Sequence, residues 1–274
     1  TMDLTDESGK NQKQNIDDQI DYAVDVTGIR GWYHDAGDWD GYFTHFRVPR
    51  TLMTVYELAP ERFQDGGLNI PESQLDNGYS GTHIPDLLDE AVWLVDYFKN
   101  NIGPSGGIFG SRVQPDISDP DGLSQESIDY HRDRGFVFET PDVEVHRSWT
   151  DKRTWIVFGE DPRDSYAFAG IAAQYAYCLN LAQVQTGEDY TAIIRDYQDA
   201  AQNAYTWAGN HLRPGDLEHK GSTHNWGSLK SMRALAAVWL YKLTGGERYH
   251  ETAESWLSQY TADTIDIAPD RWAV

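Results

Sequence analysis

Asp35 and Asp38 stand three residues apart in the stretch 31–46, GWYHDAGDWDGYFTHF, with only Ala36 and Gly37 between them. The two small residues permit a tight turn and leave room for a ligand beside the carboxylates. Trp32, Tyr33, His34, Trp39, Tyr42 and His45 crowd around the pair in sequence. Aromatic faces can cover the flat C–H face of a sugar ring, while carboxylates and imidazoles can bind its rim of hydroxyls. That makes His34, Trp39 and Tyr42 candidate binding groups. Two adjacent carboxylates can also orient one water and take its proton, as the base of a single-displacement glycoside cleavage must. The same spacing also suits an Asx turn, a helix cap or a calcium loop, and aromatics are often plain core. Acid and base in such a cleavage stand about 6.5–9.5 Å apart, on opposite sides of the scissile bond. The turn therefore offers at most half of the machinery.

A second candidate lies in 136–155, FVFETPDVEVHRSWTDKRTW, where His146, Arg147, Trp149 and Trp155 combine hydrogen-bonding and stacking groups. This stretch is suited to line a groove, and equally to form an irregular packed loop.

The elements that must position these residues are helices. Apolar residues recur at three- and four-residue spacing over 164–187, 189–207, 226–244 and 247–260, with Gly187 and the pair Gly245 and Gly246 as stops. Short Gly-containing connections make helical hairpins of them. Two further helices are expected earlier. One covers 47–58, where Pro49 is tolerable only near the start. The other covers 84–101, with Pro85 in its first turn and Asp86, Asp89 and Glu90 complementing the positive helix end. Convincing strands are few. Long polar stretches at 64–83 and 103–164 separate the helices, and loops of that length usually carry function. The expected fold is all-α, a partial ring of helical hairpins in one domain over 1–274, with 1–30 as a lead-in.

Composition excludes more than it selects. Ten Trp, sixteen Tyr and nine Phe in 274 residues supply more apolar area than a disordered chain carries. A net charge of −22 repels phosphate backbones and anionic membranes, so neither nucleic acid nor membrane is an expected partner, while a neutral polysaccharide is not repelled. No apolar run reaches the length of a membrane span. The start, TMDLTDESGK, has no basic-then-apolar signal segment, which a mature secreted chain would have lost. One cysteine, Cys178, rules out an intrachain disulfide framework. No His/Cys spacing suits zinc, and no cofactor or metal is expected.

Three phrases in order resemble glycoside hydrolase family 9, the cellulase-type (α/α)6 barrels. They are Gly31-Trp32-Tyr33-His34-Asp35-Ala36-Gly37-Asp38, then Tyr56-Glu57-Leu58-Ala59-Pro60-Glu61-Arg62-Phe63, then Ile70-Pro71-Glu72-Ser73 followed, after an insertion, by Ile84-Pro85-Asp86-Leu87-Leu88-Asp89-Glu90-Ala91-Val92-Trp93. A looser likeness continues through Ala236-Ala237-Val238-Trp239-Leu240-Tyr241-Lys242-Leu243-Thr244-Gly245. The resemblance implies an inverting hydrolase of β-1,4-glucan, with Asp38 as general base and Asp35 helping to hold the water. It also implies an extracellular or periplasmic setting. Xyloglucan, mixed-linkage glucan and β-glucosaminides are alternative substrates. A degenerate barrel that only binds carbohydrate is the alternative from another class.

The chain departs from the family pattern in three ways. The family's acid is a glutamate beyond the later barrel helices, a segment expected to follow Val274, so no acid is assigned. Glu72, Glu139, Glu144 and Glu160 are loop glutamates better suited to surface or capping roles. Residues 225–230 lack the acidic pair through which many members bind calcium. The insertion 74–83 is expected to reshape the cleft edge. An incomplete barrel would expose helix faces, so pairing with the remainder of the barrel or self-association is expected.

Overall fold

The computed structural model describes residues 24–25, 31, 33, 43–68, 83–109, 156–157, 160–212, 214, 217 and 229–257. Within them lie six α-helices: α1 (Arg47–Leu58), α2 (Asp86–Lys99), α3 (Pro162–Thr186), α4 (Thr191–Asn210), α5 (Leu229–Thr244) and α6 (Glu247–Leu257). The described strands are two residues each, β1 (Val24–Asp25) and β2 (Ile156–Val157), paired antiparallel with Val24 opposite Val157.

α3 sits at the centre because its sequence is small and apolar on every side. Ala167, Ala169, Gly170, Ala172, Ala173 and Ala176 belong to an unbroken buried run, 164–176. A helix without a polar face has to be surrounded. α4 and α5 provide most of that cover, with α1 and α2 adding to it. The approach to α5 is close: a side chain at Gly170 would begin 3.0 Å from Leu235 Cγ. α3 begins on an Asp-Pro step. The Asp161 carboxylate accepts from the amides of Arg163 and Asp164 at 2.9 and 3.1 Å, and Pro162 occupies the first helical position, where no N–H is needed. It ends at Gly187, whose φ of +80° turns the chain toward α4.

Among the boundaries that differ from the sequence expectation, two fall at prolines. Pro85 lies outside α2 rather than in its first turn, with an extended ψ of 131°, so the helix proper starts at Asp86. The start of α3 falls at Pro162, inside the stretch read as loop, because the capping step is at Asp161.

Aromatic contacts link the helices. Tyr205 of α4 meets Tyr166 of α3 and Tyr249 of α6 edge-on, each at 5.1 Å between centroids. Tyr175 of α3 meets Tyr197 of α4 at 4.7 Å, and Phe46 stacks on Phe98 at 4.4 Å. The Tyr197 hydroxyl donates to the buried Asp96 carboxylate of α2, and Lys99 pairs with Asp196 at 2.5 Å. Lys242 of α5 pairs with Glu57 of α1 and lies 4.5 Å from the Tyr177 ring and 4.6 Å from that of Trp239. Side chains separated by up to 185 residues in sequence thus tie the helices to one another.

These buried phenols carry a pH signature. Burial pushes Tyr166 up to about 12, a shift that Arg233 partly opposes, and it lifts Tyr175 and Tyr197 well above the usual range, with Asp96 adding to it. A phenol whose folded-state pKa is raised contributes stability that is fully present below about pH 10, the unfolded value. That contribution is lost as pH climbs toward the folded-state pKa. Urea unfolding midpoints are therefore expected to hold steady up to about pH 10 and to fall between about pH 10 and 12. A midpoint constant through pH 12 would contradict the burial of these hydroxyls as titrating groups.

Candidate active site

The described residues flanking the Asp35 and Asp38 stretch rest on α2 and lead into α1. Gly31 is buried with its backbone directly against α2, where a Cβ would fall 2.2 Å from the Trp93 carbonyl oxygen and 2.9 Å from Tyr97 Cβ. Its φ of +114° is a conformation that L side chains avoid. The Tyr33 hydroxyl donates to the Glu90 carbonyl at 3.4 Å, and its ring meets His45 edge-on at 6.3 Å. Burial, with Glu90 nearby, raises the Tyr33 phenol, so it stays a neutral donor. Glu90, Trp93 and Tyr97 recur at helical spacing on one face of α2. On the far side of the stretch, His45 is buried in the short 3-10 turn Phe43–Phe46, which runs straight into α1. The first turn of α1 then carries Arg47 and Arg50. Burial, with Arg47 beside it, lowers Arg50 to about 10, so it remains cationic at neutral pH. Asp35, Asp38, His34, Trp39 and Tyr42 themselves lie outside the described residues, as do His146, Arg147 and Trp149.

A second clasp joins two of the motif phrases. The buried Asp86 carboxylate accepts from the amides of Gly66 and Leu68 at 2.7 and 2.5 Å, and Asp65 pairs with His83 at 2.8 Å. The phrase 56–63 and the loop after it are thereby tied to the start of α2. Asp86 reads in the sequence as a partner for the helix dipole. Its grip on a loop 18 and 20 residues away was not accessible from spacing.

Glu160 has a structural occupation. Its Oε1 accepts from the amides of Ser105 and Gly107 at 2.9 and 3.0 Å, and its Oε2 from the Ser105 hydroxyl at 2.5 Å. Ser105 Oγ in turn accepts from the Trp207 indole at 2.9 Å. Both carboxylate oxygens are committed to shaping the turn 103–107, as fits a capping residue. Glu160→Gln is expected to cost about 1–3 kcal/mol in urea unfolding while leaving any glycoside cleavage within a few-fold. A loss of activity beyond about 100-fold in a folded variant would instead make Glu160 an acid. Cys178 lies in the core as a free thiol. Burial, with Glu57 nearby, raises its thiol, which donates to the Met53 carbonyl at 3.5 Å and stays un-ionised.

Helical hairpins packed in this way, with Gly31 and Tyr33 seated on α2, are the class of (α/α)6-barrel proteins. The solved structures agree. A metagenome-derived glycoside hydrolase family 9 endoglucanase superposes with a TM-score of 0.55 at 21% identity, over 88% of this chain and 38% of that one. A Bacteroides ovatus GH9 structure superposes with a TM-score of 0.53 at 25% identity, over 84% of this chain and 38% of its own. The model of glycosyl hydrolase family 9 matches residues 3–273, and the chain belongs to that family. A cellulose 1,4-β-cellobiosidase of Acetivibrio thermocellus is 45% identical over 245 residues, 83% of this chain and 23% of that protein. A xyloglucan-specific endo-β-1,4-glucanase of Bacteroides ovatus is 27% identical over 240 residues, 83% of this chain and 35% of that protein. The chain thus spans about a quarter to a third of the length of these two relatives.

Proposed function

We propose that this chain is part of the catalytic domain of an inverting glycoside hydrolase that cleaves β-1,4-glucan. The observation that carries the reading is the family match over residues 3–273, with 45% identity to a cellobiosidase. In this reading Asp38 takes a proton from a water that Asp35 helps to hold. The water oxygen attacks the anomeric carbon as the bond to the leaving oxygen breaks. A general acid from outside the motifs assigned here protonates that oxygen. His34, Trp39 and Tyr42, with His146, Arg147 and Trp149, line the glucan groove. Neutral polysaccharide suits a chain of net charge −22, and such a substrate is met outside the cell or in the periplasm.

Proton NMR of cello-oligosaccharide hydrolysis tests this directly. The first new anomeric signal is expected to be α, since single displacement inverts a β-linkage. A β signal appearing first would make the reaction a double displacement and overturn the assignment of Asp38 as base. A xyloglucan oligosaccharide run in parallel separates the two substrates suggested by the relatives' names.

A further inference from the structure

The stretch that carries Asp35 and Asp38 is fixed at both ends to one helix. On the outgoing side the backbone of Gly31 lies against Trp93 and Tyr97 of α2, and the Tyr33 hydroxyl donates to the Glu90 carbonyl at 3.4 Å. On the returning side Phe46 is buried and stacks on Phe98 of the same helix, with ring centroids 4.4 Å apart. The ends also meet each other. The Tyr33 ring stands edge-on to His45 at 6.3 Å, and His45 is itself buried. The chain that leaves at Tyr33 therefore comes back to it twelve residues later. Both carboxylates fall between the two rings, Asp35 two residues past Tyr33 and Asp38 seven residues before His45.

Tyr33 takes part in both kinds of contact, with α2 and with the returning end. Its ring packs on the edge of the core, and its hydroxyl is turned to a helix carbonyl. A side chain held at ring and hydroxyl leaves little freedom at its own Cα, and Asp35 follows only two residues on. Catalysis needs such a hold, because displacing a reacting group by about 1 Å can cost about 100-fold in rate. We propose that Tyr33 is a positioning residue for the glycoside cleavage, the clasp that joins both ends of the Asp35 and Asp38 stretch to α2 and so sets the place of the base. It acts through Asp38 rather than on the sugar. This role rests on the hydrolase reading above, with Asp38 as base. Burial keeps the phenol un-ionised, so the donor persists at every pH where a carboxylate base works.

The test follows cleavage of dinitrophenyl β-cellobioside, whose leaving phenolate needs no proton from an acid. The water oxygen bonds to the anomeric carbon, the bond to the phenolate oxygen breaks with its electron pair, and the water proton passes to Asp38. Tyr33→Leu is expected to lower kcat by about 10- to 100-fold, with KM changed by less than about threefold. Tyr33→Phe keeps the ring on His45 and gives up one hydrogen bond, so its kcat should fall by about 3- to 10-fold. In an Asp38→Asn background, Tyr33→Leu should cost less than about threefold, because residues that act as one unit do not add. Circular dichroism and urea midpoints establish that each variant is folded. An unchanged kcat in Tyr33→Leu overturns the proposal, and so does a loss confined to KM or to the unfolding midpoint. The full loss repeated in the Asp38→Asn background overturns it too, since Tyr33 would then act on something other than the base. If Tyr33→Leu fails to fold, Tyr33→Phe decides, and an unchanged kcat there overturns the proposal. In each of these cases the unmodified chain still cleaves and the hydrolase reading stands. An unmodified chain that leaves the cellobioside uncut overturns that reading, and the role of Tyr33 with it.

Discussion

Asp38→Asn is expected to lower turnover of cello-oligosaccharides by at least about 100-fold while leaving the chain folded, the loss that follows when a positioned base is removed. Asparagine keeps the size of the side chain and can still accept a hydrogen bond from water. It cannot take the proton as the oxygen attacks carbon. The loss should therefore fall on kcat, with KM nearly unchanged, because the proposed sugar contacts come from other groups. The acidic limb of the pH–rate profile should vanish too, since the variant has no carboxylate at that position to titrate. Azide provides a readout that a merely structural role would not move. As a small anionic nucleophile it needs no base, so it is expected to restore cleavage in Asp38→Asn and to yield the inverted glycosyl azide. Asp35→Asn should cost less, because in the proposed mechanism that residue holds the water without receiving its proton. Full activity in Asp38→Asn would end the assignment.

The ease with which each part of this arrangement is read from sequence follows the range of the interaction that makes it. Residues 47–58 carry their own periodicity and tolerate Pro49 near the start, and α1 covers those residues. The stop at Gly187 was likewise local, a residue free to adopt positive φ after a long apolar run. The start of α3 was equally local, in the Asp161-Pro162 step, but the periodic pattern drew attention two residues later. Contacts between distant segments left no such trace. Glu57 and Lys242 are 185 residues apart, and nothing in the spacing of either phrase pairs them. Asp86 shows the intermediate case: its place at the head of α2 was legible, while the two loop amides it holds were not. The candidate site was legible as a motif alone. The physics of tight turns and stacking left Asp35 and Asp38 open to a cap or calcium-loop reading, and the order of three phrases along the chain favours the catalytic one. What the fold adds is the seat, with Gly31 and Tyr33 lying on α2.

That seat yields the largest expected stability effect. Gly31→Ala would place a methyl group 2.2 Å from the Trp93 carbonyl oxygen and 2.9 Å from Tyr97 Cβ, at a φ of +114°. Neither obstacle moves cheaply. The oxygen belongs to the backbone of α2, and Tyr97 is fully buried among the core side chains. Backbone strain of this type costs about 1–3 kcal/mol, and forced overpacking adds about 1–3 more. The variant is therefore expected to lose about 2–6 kcal/mol in urea unfolding, a large share of the stability of an ordinary domain. If the strand of chain yields instead of the helix, the cost moves from stability to chemistry. Gly31 precedes Asp35 by four residues and Asp38 by seven, and displacing a reacting group by about 1 Å can cost about 100-fold in rate. Measuring unfolding midpoint and turnover on the same preparation distinguishes these routes. A stable variant with much reduced kcat would show that the α2 contact at Gly31 sets the position of the carboxylates. A destabilised variant that keeps its kcat at low temperature would assign the glycine to packing alone. Wild-type values for both would contradict the close approach of Gly31 to α2.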